Sequence, residues 1–204
     1  MKPSPFAVRR SAVEEFMRAF NQRIITTFDN AENKDALLRA DLHREEFNEY
    51  NDSDEVVDTL DAIIDIEYIA HGTMLTLGIQ QHDNLADTAP RVSFPAANAY
   101  VITELNKPRL CKKGLVASLN QLIACCSQAG MLVTRHYHDA FMHVHMKNMS
   151  KLWSEDDMHD YLDNVTEPVI TFEKKGSLYL AKRTDGKIMK PPTFTPPNLK
   201  EFVE

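Results

Sequence analysis

Between His43 and Asp65 the chain reads HREEFNEYNDSDEVVDTLDAIID, four glutamates and five aspartates offset only by His43 and Arg44. From Glu45 to His71 there is no lysine or arginine at all. On a helix advancing about 100° per residue, Glu45, Glu46 and Glu49 fall within one face of about 100°. Asp58, Asp61 and Asp65 sit at i, i+3 and i+7 of a following helix and span only about 60° of arc. Like charges at these spacings repel by a few tenths of a kcal/mol per pair, and a solvated helix face normally interleaves lysines. Two such faces on consecutive helices joined by a short turn can meet as an antiparallel hairpin. Converging carboxylates are then strained unless a cation fills the gap between them, and hard oxygen ligands favour Mg²⁺, with Mn²⁺ as a substitute. The plainer reading is an amphipathic helix whose acids face water.

The surrounding elements follow from periodicity and caps. Ser11 and Glu14 have capping-box spacing, so a first helix is expected over about 12–27. A second is expected over about 34–50 on the stripe Leu37, Leu38 and Leu42. A third begins after a turn at Asn51–Asp54, with Asp52 and Glu55 as its capping box, and stops at Gly78. Gly72 inside it marks a close approach or a kink. Residues 80–95 read as loop, about 96–105 as a short helix, 115–129 as a helix ended by Gly130, and 131–153 as largely helical. From Val169 to Met189 the residues become β-type, broken by turn signals at Lys175-Gly176 and Asp185-Gly186, so a hairpin or three-stranded meander is expected. The tail is proline-rich, with Phe194 and Leu199 packing onto the body. The expected fold is all-α, a helical bundle over about 1–168 with an insert at about 80–140, followed over 169–204 by a small β element and tail.

Composition narrows the class. The chain has 204 residues, 43% hydrophobic and 26% charged, which is ordinary globular usage. Net charge is −7, which disfavours a nucleic-acid polymer as partner but not a small phosphate compound carried with Mg²⁺. No apolar run approaches the roughly 20 residues of a membrane span, so no membrane partner is expected. Three cysteines (Cys111, Cys125, Cys126) without metal spacing read as reduced thiols of a cytoplasmic protein.

The run EEFNE (Glu45–Glu49) followed by DTLD (Asp58–Asp61) resembles the ExxE…ExxD signature of the all-α nucleoside triphosphate pyrophosphohydrolases, the MazG and phosphoribosyl-ATP pyrophosphohydrolase-like superfamily. VEEFMRAF (Val13–Phe20), DIEYIAHGT (Asp65–Thr73), HVHMKNMSK (His143–Lys151) and RTDGK…KPP (Arg183–Pro192) resemble further family segments in the family's order. The resemblance implies that Glu45, Glu46, Glu49, Asp58 and Asp61 hold metal or orient water, with Glu46 and Glu49 catalytic and Asp65 a weaker candidate. It implies that Asn148 and Lys151 meet the nucleotide or its phosphates. The implied reaction is Mg²⁺-dependent cleavage of a nucleoside or deoxynucleoside triphosphate between the α- and β-phosphates, giving a monophosphate and pyrophosphate. A deoxynucleotide such as dUTP, dATP or dGTP is the expected substrate. A dimer or tetramer is expected too, because a two-helix acid hairpin cannot bury its own apolar stripes. Asp58 stands where the family has a glutamate, and Lys147 where it has a serine. Two other readings compete. The histidine-rich segment from His136 to His145 could form a zinc or HD-type phosphohydrolase site. Alternatively, the chain could be a non-catalytic helical interaction module whose acids are merely solvated. Glu67 and His71, an i,i+4 pair on the apolar side of the third helix, read as an inter-helix or inter-subunit hydrogen bond.

Overall fold

Local chemistry starts and stops each helix that carries the acids. The structure, a computed structural model, describes residues 3–80, 90–165, 170–184 and 188–203. Helix α1 runs Pro5–Ala19, with Ser4 as N-cap accepting from the Ala7 amide at 3.3 Å and proline in the first turn. This start is a full turn and more before the expected Ser11 box, which lies inside the helix. The Ser4-Pro5 pair prevails because proline's fixed φ is already helical and its missing N–H costs nothing there. α1 also ends well short of residue 27. The Gln22 amide donates to the Met17 carbonyl at 2.8 Å and the Asn21 amide to that of Arg18 at 3.3 Å, with Asn21 left-handed at φ 51°. That is a Schellman stop, with asparagine in the place glycine usually takes.

Helices α2 (Asn33–Asp52) and α3 (Val56–Thr76) form the expected acid hairpin. The Asp52–Glu55 box does not form, because Asp52 is the last residue of α2 and Glu55 caps α3 without a side-chain bond. α3 stops as expected at Gly78, whose φ is +63°, and a Cβ there would lie 2.5 Å from the Thr27 carbonyl carbon. Only glycine allows both the backbone angle and the approach.

The insert supplies α4 (Phe94–Leu105) and α5 (Lys112–Val133). α4 packs on α2 and α5, and α5 packs on α3. Leu60, Ile64, Ala70, Leu115, Leu119 and Cys126 are all fully buried in one continuous core. The buried face of α3 is therefore covered by the chain's own helices, whereas Leu37 and Leu38 of the expected α2 stripe are 48% and 59% exposed. α5 is long and apolar enough to cross a membrane by length and composition, against the expectation from the sequence, but its apolar side chains fill this core. Gly130 lies within α5 and does not end it; a Cβ there would meet the Tyr137 ring at 2.1 Å.

Helix α6 (Tyr137–Met149) packs on α1. The expected single helical stretch from 131 to 153 is thus broken at Thr134–His136. α7 (Glu155–Asn164) opens with a reciprocal capping box between Ser154 and Asp157, a sequence signal that had gone unread. Strands β1 (Ile170–Lys175) and β2 (Leu178–Arg183) pair antiparallel around Gly176 at φ +64°. A third strand is reduced to one bridge between Lys182 and Ile188. Val169 and the expected turn at Asp185-Gly186 lie outside the described residues. The hairpin packs on Trp153 in a small second cluster, Leu199 is buried against the main core and Phe194 is half-buried. α8 (Lys200–Val203) closes the chain, and the fold is all-α with one small antiparallel hairpin among the described residues.

Candidate active site

A cleft of about 490 Å³ runs between α2 and α3 under the flank of α1. On α2 it is lined by Asp35, Leu38, Arg39, Leu42 and Glu46, a stripe at helical spacing. On α3 it is lined by Asp65, Tyr68, Ile69, Gly72 and Thr76. The helices are antiparallel, so Glu46 faces the Asp65 end and Asp35 the Thr76 end. The two ends are separated by about 16 Å at 1.5 Å of rise per residue. Phe16, Met17 and Phe20 of α1 form the apolar wall between them, and Asn148 and Lys151 stand at the acid end.

The acids at that end share one electrostatic field. Burial first, then the charges of Asp65, Glu49, Glu45 and Asp61, push the Glu46 carboxyl up to about 8. Burial and Asp61 push Asp65 up to about 7, with Lys151 and Lys190 opposing. Burial, Asp58 and Glu49 raise Asp61, and its buried Oδ1 has no hydrogen-bond partner among the described residues. All five expected ligands therefore act on one another. Glu46 lines the cleft and Asp61 is half-buried, whereas Glu45, Glu49 and Asp58 are exposed and do not line it. Among the described residues no three His, Cys, Asp or Glu side chains stand in a finished metal cluster. The donor set nonetheless suits a hard divalent cation: only oxygens, excess negative charge, and one orphaned buried carboxylate oxygen.

Lys151 is the counter-charge. Its ammonium donates to Asn148 Oδ1 at 2.5 Å and lies 6.0 Å from the Phe16 ring centre. Burial lowers its pKa while Asp65 opposes the shift. Tyr68, on the cleft wall, shares a 3.1 Å hydrogen bond with His145 Nδ1. The sequence reading had ranked Asp65 low and had not singled out Lys190, Tyr68, Asp35 or Arg39. The signals were available: Asp65 follows Asp61 by one turn, Lys190 belongs to the KPP segment, and Asp35, Arg39, Leu42 and Glu46 keep an i, i+4, i+7, i+11 rhythm.

Residues 13–91 match the family model for phosphoribosyl-ATP pyrophosphohydrolase. That family is a member of the all-α nucleoside triphosphate pyrophosphohydrolase superfamily. No curated protein and no solved structure matches the chain. The matched segment carries the second half of α1 and the whole acid hairpin, and it supports nucleotide pyrophosphohydrolase activity. Asn148 and Lys151 lie beyond it and join the matched segment's acids by their position in the cleft.

Among the described residues the histidines do not gather into a competing centre. His136 is bonded by Arg135 and lies near Asp139, His143 stacks near Phe202, and His145 bonds Tyr68 and faces Glu15. Glu67 and His71 bond each other within α3 at 3.3 Å, and it is Glu67 that makes the contacts to other helices. Glu67 also accepts from Arg9 Nε at 2.7 Å and from the Tyr137 hydroxyl at 2.7 Å.

Proposed function

We propose that this pyrophosphohydrolase cleaves a nucleoside or deoxynucleoside triphosphate between its α- and β-phosphates, with Mg²⁺, to a monophosphate and pyrophosphate. The observation that carries the reading is the junction, in one cleft, of an uncompensated acid field with a buried lysine and an aromatic wall. Mg²⁺ would be held by Glu46, Glu49, Asp58 and Asp61, with Glu45 and Asp65 adjoining. When bound it supplies charge neutralisation for the polyphosphate and Lewis acidity. Glu46, which lines the cleft beside the other acids, is suited to take the proton of the attacking water. Lys151 holds the β- and γ-phosphates as a point charge and offsets the charge that develops on the leaving pyrophosphate. Asn148 keeps the Lys151 ammonium in place. Phe16, on the cleft wall, offers its ring to the base.

Digestion of a panel of ribo- and deoxyribonucleoside triphosphates with Mg²⁺, resolved by chromatography, tests the reading. Monophosphate and pyrophosphate are the expected products. Orthophosphate as primary product, or turnover unchanged by chelation, would overturn it.

A further inference from the structure

The end of the cleft remote from the acids is built differently. Arg39 is only 8% exposed. Its guanidinium lies against Gly72, where a Cβ would come within 2.9 Å of Nη1, and its Nη2 donates to Thr76 Oγ1 at 2.6 Å. One turn earlier on the same face stands Asp35. Its Oδ2 is buried and makes no hydrogen bond among the described residues, although Arg23 Nη1 lies 3.3 Å away. That arginine is engaged by Glu32 and by the Asn30 carbonyl. A carboxylate with spare acceptors and a guanidinium with spare donors thus border an aromatic-walled slot about 16 Å from the acid end, judged from helical rise. That spacing puts the pair beyond a polyphosphate and its sugar, at the base.

The donor pattern selects among bases. A carboxylate offers acceptors only, and a guanidinium donors only. Guanine alone sets two adjacent N–H donors, at N1 and N2, beside a carbonyl acceptor at O6. Adenine and cytosine put a ring-nitrogen acceptor next to their amine, and uracil flanks its single N–H with carbonyls; each turns a lone pair toward the carboxylate. A buried acceptor facing a lone pair forfeits its hydrogen bond and keeps its desolvation cost.

We propose that Asp35 and Arg39 read the edge of a guanine base, which makes the site selective for guanine nucleoside triphosphates. The inference rests on the triphosphate reading above. On the wild-type chain with Mg²⁺, pyrophosphate release from dGTP or GTP should exceed that from the adenine, cytosine and uracil triphosphates. Inosine triphosphate, which lacks only the N2 amine, should be at least tenfold poorer in kcat/KM than GTP. Asp35→Asn should lose roughly a hundredfold on GTP and gain on xanthosine triphosphate, whose 2-carbonyl accepts from the new amide. A merely damaged fold cannot produce that gain. Equal losses on every base, or a wild-type preference for a non-guanine base, would overturn the inference. If no triphosphate releases pyrophosphate, the catalytic reading fails instead, and calorimetry with dGMP against dAMP still decides. Preferential dGMP binding that Asp35→Asn abolishes supports base reading, and equal or absent binding of both overturns it.

Discussion

Two faces of α3 carry acids only two residues apart and treat them in opposite ways. Glu67 is fully buried. Burial works against its ionisation, but hydrogen bonding from His71, the charge of Arg9 and the Tyr137 hydroxyl outweigh it and hold its pKa low. Arg9 is itself tied to Ser127 at 2.8 Å, so the cluster joins α1, α3, α5 and α6. Asp65, on the cleft face, meets like charges and is pushed up. A structural charge is paired until nothing remains for a ligand. The cleft acids are left wanting positive charge, and that deficit gives them affinity for a cation.

Substitution should separate the two faces. The largest effect on stability is expected at Glu67→Ala, which leaves Arg9 buried and unpaired at a cost of about 3–5 kcal/mol. Thermal melting should register it as a fall on the order of 10 °C. A variant that melts like wild type would erase the contrast. Asp61→Asn and Glu46→Gln should do the reverse, each lowering kcat/KM by roughly a hundredfold or more while the melting temperature holds or rises because repulsion is relieved. Near-wild-type turnover in either variant at saturating Mg²⁺ would remove the site from this face.

Smaller effects sharpen the picture. Lys151→Ala should raise KM and lower kcat/KM by about tenfold with Mn²⁺ binding retained; unchanged kinetics would reduce the lysine to a solvated helix-end charge. Gly72→Ala adds helix propensity of roughly 0.5–1 kcal/mol but crowds the Arg39 guanidinium, so the folded variant should show a higher KM for its preferred base, and an unaltered KM would mean the guanidinium is not used there.

The metal-free protein should also respond to pH in a direction unusual for acids. Glu46 and Asp65 titrate higher in the folded chain, near 8 and 7, than their unfolded values near 4. The native state therefore holds more protons between those limits, and stability falls as pH rises from about 4 to 8. Added Mg²⁺ should restore more melting temperature at pH 8 than at pH 5, because it competes with fewer protons. Equal restoration at both would mean the raised acids are not its ligands.

The acid hairpin, its turn, the stop at Gly78 and the Lys175-Gly176 hairpin turn were all legible in the sequence. Helical spacing, a glycine's access to positive φ and unbroken like charge are local properties, set by neighbours within a few residues. Even locally, competing caps deceived: Ser4 with Pro5 displaced the Ser11 box, and Asn21 stopped a helix that its apolar rhythm would have continued. What spacing could not distinguish was Asp65 from Glu67. One meets Asp61 one turn away and Glu46 across a cleft, and the other meets Arg9 and Tyr137 from helices remote in sequence, so partners decided by packing set their opposite charge states. The same holds for Lys151, brought to the acids by α6 lying along α1, and for Arg39, laid against Gly72 because two helices close there. It holds also for the insert, whose α5 covers the apolar face of α3 while Leu37 and Leu38 of α2 stay exposed. Residue types and periods fix which groups share a face; only the packed chain fixes what that face meets, because desolvation and pairing are properties of the contact and not of the strand of sequence that supplies it.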